Sequence, residues 1–177
     1  IDMLLPIFRH CLVQINGTTI LSIEGQGKTH LSFDQTMYFN HESQEWTIGP
    51  PMKVGRAQHS CGKVIIEDIS VIVVAGGVSI DDQDSAFTSV EFLLAHNSTW
   101  IEGPELPSPP SLRAQIVSNG HELYLIDTFR LIIRRLVCKS GIQSCQWIKQ
   151  DNNLQIQRAD AIVSLIPDHM TNCSEAS

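Results

Sequence analysis

Five cysteines, seven histidines and a short acidic run are the residues of this chain whose types could carry chemistry. Cys138 and Cys145 bracket Lys139 to Ser144, a stretch that reads as a hairpin tip, so the two thiols can face each other across paired strands. A disulfide there needs Cα atoms about 4.4–6.8 Å apart, which sequence spacing alone does not set. Cys11 and Cys61 fall near two strand starts and Cys173 lies in the tail, and the odd count leaves at least one thiol without an intrachain partner. The histidines (His10, His30, His41, His59, His96, His121 and His169) form no H-x-x-x-H pair and no spacing with cysteine that suits zinc. Asp81, Asp82 and Asp84 could offer oxygen ligands to Ca²⁺, but the spacing and bidentate glutamate of a calcium loop are missing, so they read as a solvated loop. Gly25-Gln26-Gly27-Lys28-Thr29 echoes the end of a phosphate-binding loop, yet Ser22 stands where that pattern needs glycine and a strand-like run follows. No nucleophile, base and orienter can be assembled. The expectation is a protein without metal, cofactor or catalytic activity. Three sequons remain: Asn16-Gly17-Thr18, Asn97-Ser98-Thr99 and Asn172-Cys173-Ser174.

The elements that must position these residues are strands. Asn16-Gly17 is a hairpin turn signal, since both positions tolerate positive φ. It joins Leu12–Ile15 to a returning strand from Thr19 to Glu24, and Leu31–Asn40 as the third strand and Gln44–Ile48 as the fourth complete a four-stranded meander. A second meander uses Arg56–Ile66, the β-branched run Ser70–Ala75, Thr88–Ala95 and Thr99–Ile101. A third uses Ala114–Ser118, His121–Asp127, Arg130–Cys138 and Ser144–Ile148, and a last strand, Ala161–Ile166, begins a further unit. In this frame Asn16 and Asn97 sit in turns at one end of the strands. The loops Asp81–Ser85 and Pro104–Leu112 emerge at the other, leaving Asp81, Asp82 and Asp84 on the face open to a partner.

The 177 residues suit one ordinary domain, and 42% hydrophobic with 18% charged residues can bury a core. A net charge of −7 argues against nucleic acid, which needs clustered Lys and Arg. No stretch approaches the roughly 18 apolar residues of a membrane span. The chain opens on Ile1 without a signal peptide and reads as a fragment or processed product.

Landmarks recur along it. Trp46, Trp100 and Trp147 each precede a short turn, Gly49-Pro50 and Gly103-Pro104 after the first two, and Arg56, Arg113 and Arg158 each open an Arg-Ala pair. Gly76-Gly77 closes a strand, Leu5-Pro6 falls before Arg9 much as Leu106-Pro107 falls before Arg113, and the repeat period is the first thing to test. These residues resemble kelch repeats, whose units each form one blade of a β-propeller. In that family a diglycine ends the second strand and a tryptophan sits in the fourth before a Gly-Pro or proline-rich turn. Unit one has Glu24-Gly25 and unit three Ile126-Asp127 where the diglycine is expected. The resemblance implies an all-β kelch-type propeller over residues 1–177, with units at about 9–48, 56–101 and 113–148, the start of another at 158–166 and a tail at 167–177. A buried tryptophan would cover the diglycine, and the arginines would stack on a ring or bond turn carbonyls. Three blades are fewer than the four to eight that usually close a propeller, so further blades or a second copy must cover the end faces.

The function this implies is a non-catalytic protein-interaction scaffold with an unidentified protein partner. Sequons and cysteines place it outside the cell or at its surface. The alternative is a cytoplasmic kelch substrate adaptor of a ubiquitin ligase, whose BTB domain this sequence lacks.

Overall fold

Asn16 makes the first turn. Its Oδ1 accepts hydrogen bonds from the Thr18 and Thr19 backbone N–H groups (both 2.9 Å) and from the Thr18 hydroxyl. This reverses the chain between β1 (Cys11–Gln14) and β2 (Thr19–Ile23). The computed structural model describes residues 9–26, 33–79, 85–95, 97–112 and 114–151. β3 (Thr36–Asn40) and β4 (Glu45–Ile48) complete a four-stranded antiparallel sheet in the order of the chain.

The second sheet is built the same way with one insertion. β5 (Ser60–Ile66) turns through Glu67 and Asp68, both at positive φ as a tight primed hairpin turn requires, into β6 (Ile69–Ala75). A two-stranded ribbon of β7 (Val78–Ser79) and β8 (Ser85–Ala86) then precedes β9 (Val90–Leu94) and β10 (Ile101–Glu102). In the third sheet β11 (Gln115–Ser118), β12 (Leu123–Asp127), β13 (Ile132–Val137) and β14 (Gln146–Lys149) pair in sequence, with a 3-10 turn at Ile142–Ser144. The β-rich reading holds, and β13 is a strand despite the short helix its apolar run could suggest. The ribbon and the 3-10 turn were not anticipated, because pairs that short carry no periodic signal.

The three sheets stack face to face with two apolar cores between them. One joins the first and second sheets through Val13, Leu21, Ile23, Ile72, Val74 and Leu93; the other joins the second and third through Val64, Val73, Phe92, Leu123, Leu125 and Leu136. The second sheet is therefore covered on both sides. That explains the unbroken Val71-Ile72-Val73-Val74 run of β6, where odd positions face one core and even positions the other.

The innermost strand β5 shows the same alternation. Cys61 and Lys63 face the first sheet, the one bonded to Cys11 and the other donating from Nζ to Ile15 O at 2.8 Å. Gly62 faces the third sheet, and a Cβ there would lie 2.5 Å from Ile116 Cγ2. Only a residue without a side chain lets β11 come this close. Among the described residues no helix is long and apolar enough to cross a membrane. The segments 158–166 and 167–177 lie outside the described residues.

Candidate functional site: sheet junctions and the loop face

Arg56, four residues before β5, is buried with 0% exposure at the junction of the first two sheets. Its Nη1 donates to Gly76 O (2.9 Å) and Ser89 O (3.1 Å), and its Nη2 to Ser89 Oγ (3.1 Å) and Glu91 Oε1 (2.7 Å). The guanidinium lies over Phe87, 5.3 Å from the ring centroid. Burial pulls Arg56 below the ordinary arginine value, and the charge and hydrogen bond of Glu91 oppose that shift. Glu91 also accepts from Lys53 N (2.7 Å) and Val54 N (3.2 Å), tying the loop after the first sheet to β9. A buried ion pair persists only when its remaining donors and acceptors are satisfied, and nearly all are; Arg56 Nε alone lacks a partner.

The tryptophans act between sheets. Trp100 Nε1 donates to Pro50 O at 2.9 Å, and Trp147 Nε1 to Pro104 O at 3.0 Å. In each case the indole of one sheet bonds the Gly-Pro turn that leaves the sheet before it. The turns match in detail: Gly49 N bonds Thr36 O and Gly103 N bonds Val90 O, both at 2.8 Å. Gln150 N bonds Ile133 O at 2.9 Å, so the third sheet makes the same closing bond without a glycine.

Some of the anticipated equivalences shift. Gly76 (φ 67) and Gly77 (φ 90) do need glycine, but Pro110 rather than a tryptophan packs on Gly76, and Ala57 O with His59 crowds Gly77. Arg9 does not repeat Arg56. Its φ of 59 and its place before β1 match Gln58 (φ 56) before β5, and its Nη1 donates to Gln26 Oε1 at 3.0 Å. Strand pairing sets Ile126 opposite Gln115 as Ala75 is opposite Ser60, which puts Asp127-Thr128 where Gly76-Gly77 stand. Asp127 accepts there from Ser111 N and Oγ (2.8 Å each) and Arg130 N (2.9 Å). Arg113, Arg158, Asp81, Asp82, Asp84 and Asn172 lie outside the described residues.

Two disulfides are present. Cys138–Cys145 spans the turn before β14, and Cys11–Cys61 joins neighbouring sheets with Cα atoms 5.9 Å apart. The second pairing escaped the sequence because it links strands 50 residues apart. Glu91 was also missed, since a lone strand glutamate carries no signal of its buried arginine partner.

β1 and β5 run side by side in the same direction, with Cys11 beside Cys61 and Ile15 beside Lys63. The exposed Asn16 turn and the exposed Asn97 turn between β9 and β10 therefore share one end of the stack. At the opposite end an open cavity of about 320 Å³ is lined by Lys53, Val54, Arg56, Glu91, Glu102 and Glu105. Lys53 Nζ and Glu102 Oε1 pair across it at 3.2 Å. The connections at that same end expose Val54 (36%), Leu112 (44%) and Phe129 (57%). Among the described residues no three His, Cys, Asp or Glu side chains gather as a metal cluster.

No family model and no curated protein matches this chain. Solved structures do. One, titled "Structure of YjhT", aligns with a TM-score of 0.61 at 14% identity, covering 81% of this chain and 51% of that one. The chain thus spans about half the length of that protein. At this identity the likeness is one of fold.

Proposed function

We propose that this chain is a kelch-type β-propeller array serving as a non-catalytic protein-interaction scaffold outside the cell or at its surface. The observation that carries the reading is the division between the two ends of the stack. Both described sequon turns stand exposed at one end, while the cavity and the exposed apolar residues Val54, Leu112 and Phe129 stand at the other. Glycans at the first end would leave the second free for a protein partner. Acidic Glu102 and Glu105 at the cavity rim, in a chain of net charge −7, favour a partner surface that combines basic and apolar groups.

The blade reading draws support from three consecutive four-stranded meanders, stacked face to face, with tryptophans repeated at the fourth strand. The Cys11–Cys61 bridge between separate sheets favours an oxidising compartment over the cytoplasmic adaptor reading, because cytosolic thiols are kept reduced. The test is secretion from eukaryotic cells followed by enzymatic deglycosylation. A mass loss that disappears stepwise in Asn16→Gln and Asn97→Gln variants is expected. Retention in the cytosol, or an unchanged mass, sinks the extracellular scaffold.

A further inference from the structure

The connection from the second sheet to the third is held from both sides, and it frames groups that the fold leaves open. Pro110 is wedged against the second sheet, where a Cβ on Gly76 would lie 2.5 Å from its Cγ. The third sheet grips the same connection from the other side. Ser111 donates from N and Oγ to the two Asp127 carboxylate oxygens (2.8 Å each), Arg134 Nη2 donates to Ser108 Oγ (2.9 Å), and Arg130 Nη1 donates to Pro109 O. Asp127 Oδ1 also accepts from Arg130 N at 2.9 Å, which shapes the β12–β13 hairpin. Connection and hairpin are thus laced together at the junction of two described sheets.

This frame displays Phe129 and Arg130 at the hairpin tip, with Leu112 one residue beyond Ser111. Phe129 is 57% exposed, the one exposed aromatic ring among the described residues, and Leu112 is 44% exposed. Arg130 is exposed as well, and its side-chain hydrogen bond from Nη1 leaves the Nε–Nη2 edge open. Among the described residues no carboxylate pairs with that edge. Asp127 is buried, with its oxygens taken by Ser111 and Arg130 N. An open guanidinium edge matches a carboxylate through two parallel hydrogen bonds. Aromatic rings and arginines carry much of the binding energy at protein interfaces, and a rigid frame lowers the cost of ordering them.

We infer that the Phe129-Arg130 tip, with Leu112, is the docking point for a protein segment that sets a carboxylate beside a bulky apolar side chain. The carboxylate pairs with the Nε–Nη2 edge of Arg130, and the apolar group covers Phe129 and Leu112. This deepens the loop-face scaffold reading and rests on it. It also gives the partner a direction. Glu102 and Glu105 of the cavity rim lie where the same connection begins. The loop face is therefore acidic at the first junction, and basic and aromatic at the second. A partner turned end for end brings its carboxylate against Glu105 and is rejected.

Selection from a displayed library of short random peptides tests this, with the secreted, glycosylated full chain as bait. Selected peptides are expected to carry Asp or Glu next to Leu, Ile, Phe or Trp. Phe129→Ser changes a side chain already 57% exposed and so leaves the fold intact; it should weaken their binding about tenfold or more. Arg130→Gln keeps the backbone bond to Asp127 and should weaken binding comparably. Peptides with lysine in place of the carboxylate should lose the parent chain and regain Arg130→Glu. No selected peptide, a basic residue where the carboxylate is expected, or binding indifferent to both substitutions overturns the proposal. If binding is lost in Glu105→Lys but kept in Phe129→Ser, docking centres on the cavity; the tip is then lost as an anchor and the scaffold reading stands. If peptides bind only after the Asn16 and Asn97 glycans are removed, docking lies at the other end and the scaffold reading falls with it.

Discussion

His59 is the residue at which position and protonation are most tightly linked. It is 7% exposed just before β5, its Nδ1 lies 3.2 Å from Arg56 O, and its Nε2 is buried without a partner. Burial, then the charge of Arg56, lowers its pKa from 6.5 to about 3, so the imidazole is neutral in the fold. Above about pH 6.5 neither the folded nor the unfolded chain protonates it, and it leaves stability unchanged there. As the pH falls below that value the unfolded chain takes up a proton that the fold refuses, and stability drops by up to about 1.4 kcal/mol per pH unit toward pH 3. Thermal unfolding followed from pH 7 to pH 4 should therefore be less steeply pH-dependent in His59→Asn than in the parent; an equal slope would mean that His59 is protonated in the fold. Glu24 works in the other direction. Its carboxyl is buried without a hydrogen-bond partner, and burial, helped by the charge of Asp34, raises its pKa. Neither shift was legible in the sequence, where His59 is simply a residue near a repeat arginine.

Among the elements, the fourth strands carry the joints between sheets. Trp147 fills the core between the second and third sheets and donates to Pro104 O. Trp147→Phe keeps a ring in place but removes the donor and leaves that carbonyl unpaired. It should cost about 1–2 kcal/mol, seen as a lower urea midpoint at unchanged slope; an unchanged midpoint would make the indole mere filling. The tryptophans were legible because large aromatics at a repeated offset before a turn are a strong pattern. Their acceptors were not, because each bond crosses to another sheet, over 50 residues for Trp100 and 43 for Trp147. Gly62 gives the same lesson in reverse. It lies inside a strand with no turn to announce it, and only the approach of Ile116 explains it.

In the molecule as a whole, stability depends on sheets that, among the described residues, pack on their neighbours in the chain, so a bond between sheets does more than one within a turn. Cys11–Cys61 closes a separation of 50 residues and Cys138–Cys145 one of 7. The chain-entropy account assigns them about 4 and about 2.5 kcal/mol. The Cys11→Ser, Cys61→Ser double variant should therefore lower the melting temperature more than the Cys138→Ser, Cys145→Ser pair; the reverse order would show that the first two sheets hold together without their bridge.

What the sequence by itself determined is the strand content and order. Asn-Gly turns, β-branched runs and recurring tryptophans are local signals, and antiparallel meanders are built from local pairing. The stacking of the meanders decided the rest. It buried Arg56 on Glu91, set Arg9 in register with Gln58 instead of Arg56, joined Cys11 to Cys61, and divided the sequon turns from the cavity. Each of these depends on which face of a strand meets which neighbour, and a shift of one residue reverses that face without altering the local pattern.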